Sequence, residues 1–110
     1  MLDQSQLDQV FKALAHPVRR QILSRASGKE RTISELAAPF DMTLEAVSQH
    51  VRVLERARLL RRIRTGRDHR CRVDPKPLRE AGEVIAKLTR HWNRQLDELE
   101  RWLRETGGEK

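Results

Sequence analysis

Apolar side chains recur at offsets of three and four through much of this chain, the spacing of helices with one buried face. Leu7, Val10, Phe11 and Leu14 set the first such stretch, over 5–14, and Leu2 extends it. The pattern breaks at His16-Pro17. Proline favours the first turn of a helix, so a second helix is predicted there, with His16 placed to cap it and Val18, Ile22, Leu23 and Ala26 on its inner face. Residues 27–31 read as a polar loop. Thr32-Ile33-Ser34-Glu35 has the form of a capping box, in which the threonine hydroxyl and the glutamate carboxylate each satisfy a free backbone N–H. The helix it opens, 33–40, presents Ile33, Leu36, Ala37 and Phe40 on one face, with Pro39 near its end because an interior proline removes a hydrogen bond. Asp41-Met42-Thr43 reads as a three-residue turn, and Thr43 as the N-cap of the next helix. Two short helices joined so tightly predict a helix-turn-helix over 32–57.

In the second of these helices Val47, Val51 and Leu54 fall on one stripe, and Glu45, Ser48, Gln49, Arg52 and Arg56 on the other side. Leu59 and Leu60 are followed by two short runs around Gly66, the signature of a β-hairpin, over 59–73. Its second strand alternates cleanly, with His69, Cys71 and Val73 on one face and Arg70 and Arg72 on the other. The first strand, around Arg61–Arg64, alternates poorly and leaves the register open. Asp74-Pro75-Lys76-Pro77 then opens a long helix over 77–105. Its apolar positions are Leu78, Ala81, Ile85, Leu88, Trp92, Leu96, Leu99 and Leu103, a seam like that of a coiled coil with one insertion, widened by Val84 and Trp102. Gly107 and Gly108 are predicted to end it.

A chain of 110 residues fits one domain, 1–110. With 37% hydrophobic and 35% charged residues its core is thin, and the long seam has little within one subunit to cover it. The expectation is a homodimer through the terminal helices, with Leu7, Val10, Phe11, Leu78, Ile85, Leu88, Trp92, Leu96 and Leu99 at an isologous interface. No run of eighteen apolar residues suggests a membrane span. The polar start is unlike a signal peptide, and one cysteine allows no disulfide within the chain. A cytoplasmic protein without membrane attachment is expected. The net charge of +7 is unevenly placed. Residues 1–42 carry a net +1 and 74–110 a net of zero, whereas 43–73 hold nine basic and three acidic side chains. Six of the nine are arginines between Arg61 and Arg72. A concentrated patch of this kind is the electrostatic footprint of a nucleic-acid partner, and arginine suits phosphate because its planar fork donates in pairs. Glutamine matches adenine, arginine matches guanine, and small apolar groups meet the thymine methyl. Thr43, Leu44, Glu45, Ala46, Ser48, Gln49 and Arg52 are therefore the candidate readers of duplex DNA, with Arg56, Arg62, Arg64, Arg67 and Arg70 as further contacts, chiefly to phosphate.

Helix, turn, helix and basic hairpin in this order look like a winged helix. The phrases KALAHPVRRQIL, ISELAAPFDMT, VSQHVRVLERARLL and GRDHRCRVDP resemble the ArsR family of bacterial repressors over nearly the whole chain. The resemblance implies a mainly α fold with a β-hairpin wing. It also implies a dimeric transcriptional regulator that leaves its operator on some signal. By motif, the recognition helix maps onto residues 44–57 and the wing onto 60–73. Arg58 departs from the family's usual glycine, at a place where a left-handed cap is cheap for glycine. Metal sensing is not expected. The first helix of the motif, SELAAPFD, lacks a cysteine pair, and His91 has Leu88, Lys87, Arg94 and Gln95 at helical spacing. No cofactor and no catalytic arrangement is expected, so the protein does not read as an enzyme; an inducer, if any, is unspecified. Cys71, among arginines, is a candidate for oxidation, weighed against a packed thiol. The alternative to a repressor on an inverted repeat is a sequence-neutral chromosome-associated protein, with a helical adaptor binding protein partners as a third class.

Overall fold

A computed structural model describes residues 2–107. The elements are α1 (Gln4–Leu14), α2 (Pro17–Gly28), β1 (Arg31–Thr32), α3 (Ile33–Ala37), α4 (Leu44–Arg56), β2 (Leu60–Thr65), β3 (Asp68–Val73) and α5 (Pro75–Gly107). Side chains take free N–H groups at the starts of the first four helices, which is why the chain turns where it does. Asp3 accepts from Gln6 N–H at 2.8 Å, and the Gln6 amide oxygen accepts in return from Asp3 N–H at 3.2 Å. His16 Nδ1 accepts from Val18 N–H at 3.1 Å. Thr32 and Glu35 form the reciprocal capping box, and the Thr43 hydroxyl accepts from Ala46 N–H at 3.1 Å.

One core joins the pieces. Val10 and Ala13 of α1, Ile22, Leu23 and Ala26 of α2, Leu36 of α3, and Val47, Val51 and Leu54 of α4 meet Leu60 and Cys71 of the sheet and Ala81 of α5. Burial of each large aliphatic contributes about 1.5–3 kcal/mol. The sheet order is β1-β3-β2, antiparallel throughout. Leu60 pairs with Val73, Arg62 with Cys71 and Arg64 with His69 on one face; Arg61 pairs with Arg72, Ile63 with Arg70 and Thr65 with Asp68 on the other.

Several expectations need correction. Helix α3 ends at Ala37, so the link to α4 spans residues 38–43, twice the expected turn. Pro39 lacks the N–H a longer helix needs, and the Phe40 N–H instead donates to the Ala37 carbonyl at 3.0 Å. Residues 31 and 32 are not simply loop and cap. They form β1, Arg31 opposite Cys71 and Thr32 opposite Arg70. Two residues carry no period, so no sequence signal marks this strand. Helix α5 begins at Pro75. Gly108 lies outside the described residues, as does the end of the tail.

Helix α5 has 33 residues, about 50 Å at 1.5 Å per residue. Only Pro77 and Ala81 of it are buried. Past Val84 every described residue is exposed, Trp92 to 62%. The long dimension of the molecule, 72 Å against 33 and 23 Å, fits a helix of this length projecting from the core. Of the residues expected at a dimer interface, Ile85, Leu88, Trp92, Leu96 and Leu99 lie on this bare stripe. Leu7, Phe11 and Leu78 are half-buried against their own core. Val10 is a correction: at 0% exposure it belongs wholly to the subunit's interior and offers no surface to a second copy.

Candidate nucleic-acid interface

Helix α4 is oriented by its burial. Val47, Val51, Leu54 and the capping Ala57 point into the core. At 100° per residue the positions opposite them are Glu45, Gln49, Arg52 and Arg56, and all four are exposed. Leu44 is exposed beside the cap, and Thr43 is exposed as the cap itself. Ala46 and Ser48 flank the line and are half-buried. The expected readers thus divide into an outward line and a shaded border. Along that line the side chains touch each other. Gln49 Nε2 donates to Glu45 Oε1 at 3.4 Å, and Arg52 Nη2 lies 3.6 Å from the same oxygen.

The end of α4 sets where the wing begins. Arg58 adopts φ 63°, its N–H donates to the Glu55 carbonyl at 2.9 Å, and the Leu59 N–H donates to the Leu54 carbonyl at 3.0 Å. These two bonds are a Schellman cap. Leu59 and Leu54, both 0% exposed, supply its apolar contact. The chain is thereby reversed into β2, and the Asp74 N–H closes the hairpin base by donating to Leu59 O at 3.0 Å.

Carboxylates hold four of the six wing arginines. Arg62 reaches Glu55 of α4 at 2.7 Å, Arg70 lies 3.6 Å from Glu35 of α3, Arg61 lies 3.6 Å from Asp74, and Arg72 pairs with Glu30. Arg62 and Arg70, expected on DNA, are therefore partly neutralised braces that fix the wing against both helices of the motif. Arg64 and Arg67 have no carboxylate partner among the described residues, and Arg64 only reaches the Gly66 carbonyl at 3.4 Å. Gly66, at φ 61°, makes the tip. The sequence pattern could not disclose the acidic braces, because partners such as Glu30 and Arg72 are 42 positions apart.

Three arginines of α2 are also engaged. Arg19 donates to Ala13 O and Lys12 O at the end of α1, and Arg20 to Leu14 O at 2.7 Å. Arg25 donates to Glu35 O at 3.1 Å. Arg19 Nη1 also lies 3.2 Å from His50 Nδ1, and the His50 and His16 rings meet with centroids 4.5 Å apart, tilted 49° to each other. Burial, then His16 and Arg19, lower the His50 pKa below its ordinary value, so the neutral ring is favoured. The Thr32 backbone and hydroxyl, with Arg70 adding to them, hold the Glu35 carboxyl below the ordinary carboxylate range.

Cys71 is 1% exposed, and burial raises its thiol pKa against the opposing pull of Arg62. Of the two readings of Cys71 the geometry favours the packed thiol: burial on the inner wing face covers it and favours its protonated form. Among the described residues no three His, Cys, Asp or Glu side chains converge on a metal position, and no helix is long and apolar enough to cross a membrane.

A capped two-helix motif, an outward polar line on its second helix and a braced arginine hairpin define a winged helix-turn-helix protein of the DNA-binding class. The comparisons agree. A family model described as a helix-turn-helix domain matches residues 14–63. The transcriptional repressor SdpR of Bacillus subtilis is 32% identical over 60 residues, 54% of this chain and 67% of its own length. The structure of the ArsR family transcriptional regulator RHA00566 is 35% identical and superposes with a TM-score of 0.76 over 84% of this chain and 95% of that one. The homodimeric winged helix-turn-helix DNA-binding domain of Mb0332 from Mycobacterium bovis is 30% identical, with a TM-score of 0.59 over 86% of this chain and 81% of its own. The chain belongs to the ArsR family of winged helix-turn-helix transcriptional regulators.

Proposed function

We propose that this protein is a sequence-specific repressor that binds duplex DNA as a homodimer on an inverted repeat, in the cytoplasm, and that it is not an enzyme. The observation that carries the reading is the outward line of α4, Glu45, Gln49, Arg52 and Arg56, exposed along a helix whose other face is locked in the core. Laid in a major groove, the amino-terminal part of that helix, Thr43, Leu44, Ala46, Ser48, Gln49 and Arg52, meets base edges, with Glu45 in the same turn against Gln49 and Arg52. Arg56, Arg64 and Arg67 meet phosphate and supply affinity that falls steeply with salt. Arg62 and Arg70 contribute while shared with Glu55 and Glu35. Exposed Ile85, Leu88, Trp92, Leu96 and Leu99 on α5 meet their equivalents in a second subunit, with Leu7, Phe11 and Leu78 at the margin. Two-fold symmetry then places two reading helices on half-sites about one DNA turn, roughly 34 Å, apart. Occupying such a site excludes polymerase, and any inducer acts by loosening this geometry.

Selection of bound duplexes from a random pool tests the reading. An inverted repeat held at least about a thousandfold more tightly than scrambled DNA at the same salt is the expected result. Equal binding to every duplex would instead mark a sequence-neutral chromosome-associated protein, and no binding in dilute buffer would refute both.

A further inference from the structure

We propose that Glu45 makes α4 selective, acting as a positioning residue that disciplines Gln49 and Arg52; the inference rests on the reading of α4 as the DNA-reading helix. It is the one carboxylate on the outward line, in the first turn, where base contacts are made. A carboxylate there opposes binding to phosphate on any duplex, an odd component for a surface built only for affinity. Glu55, the other acid of α4, is committed to Arg62.

The contacts explain its use. One oxygen, Glu45 Oε1, accepts from Gln49 Nε2 and lies beside Arg52 Nη2. Engaging one N–H of the Gln49 amide, at 3.4 Å, biases the plane of that group. The carbonyl oxygen and second N–H stay free as the acceptor and donor that match adenine. The same carboxylate occupies Arg52, so this guanidinium is not free to grip whatever phosphate is nearest. A correct site repays the disturbed contacts with base hydrogen bonds, and an incorrect one does not. Specificity is then gained by weakening wrong complexes as well as strengthening the right one.

The test compares wild type with Glu45→Gln, an exposed, nearly isosteric change, on two duplexes: one recovered by selection with the wild type and one of scrambled sequence. Binding is measured across about 50–300 mM salt. Scrambled DNA should be held about tenfold more tightly by the variant, with its salt dependence steeper by roughly one released ion as Arg52 is freed. The selected duplex should change by less than about threefold, so the ratio falls. Gln49→Ala should then cost less discrimination in the Glu45→Gln background than in the wild type. An unchanged or higher ratio overturns the proposal. So does a loss of discrimination confined to a single C·G pair, which would make Glu45 a direct reader of cytosine. Wild-type protein that shows no preference at all would overturn the sequence-specific reading along with it.

Discussion

Arg58→Gly should stabilise the protein, although it removes a side chain and adds no contact. At φ 63° the arginine Cβ crowds the following carbonyl, a conformation that costs an L-residue about 1–2 kcal/mol. Glycine avoids that cost but loses about 0.5–1 kcal/mol more chain freedom on folding. The difference leaves a gain centred near 0.75 kcal/mol within a range of about 0–1.5 kcal/mol, which at its centre is about 3–6 °C in Tm for a domain of this size. The Schellman bonds from Arg58 N–H and Leu59 N–H are backbone bonds and survive the change. Arg58 also sits among like charges, so Arg58→Ala is the control: it removes the same charge but keeps a Cβ at positive φ. Thermal and urea unfolding at one fixed protein concentration read the difference, since dimerisation would otherwise shift the midpoint. Glycine should exceed alanine by about 1 kcal/mol. If the two variants gain equally, relief of charge repulsion is the cause; if glycine gains nothing, the left-handed cap is not strained as argued.

Acid should weaken the fold through His50. Its folded pKa lies below the unfolded value of 6.5, so its contribution is fully present above that pH and is lost as pH falls through it. Tm should drop more steeply between pH 7 and 5 in the wild type than in His50→Gln, and parallel curves would refute this. Protonated His50 faces Arg19 of α2 and His16 at the start of that helix, so the effect is concentrated where α1, α2 and α4 meet. Cys71 should resist a thiol reagent in the native protein roughly a hundredfold or more longer than in denaturant; equal rates would mean the wing opens freely. Replacing Leu88 and Leu96 together with Asp should leave a folded monomer in sedimentation at micromolar concentration. Each lost leucine forfeits about 1.5–3 kcal/mol in each subunit, and a persistent dimer would move the interface elsewhere.

Much was legible in the order of residues because it is local. The capping box at Thr32, the Thr43 cap, the proline starts and the 3–4 spacing of α4 and α5 each act within a turn or two of chain, so neighbours in sequence suffice to encode them. The outward line of α4 follows from the same period. Packing supplied the rest. Strand β1 exists only because β3 offers two residues an edge to pair with. The register of β2, obscured by four arginines in the stretch 58–64, follows from Leu60 seeking the core and from the cap at Arg58 aiming it there. Arg19, Arg62, Arg70 and Arg72 look alike on paper. Which arginine braces the fold and which stays free for a partner depends on where distant carboxylates and helix ends arrive in space, and charge alone carries no record of that position.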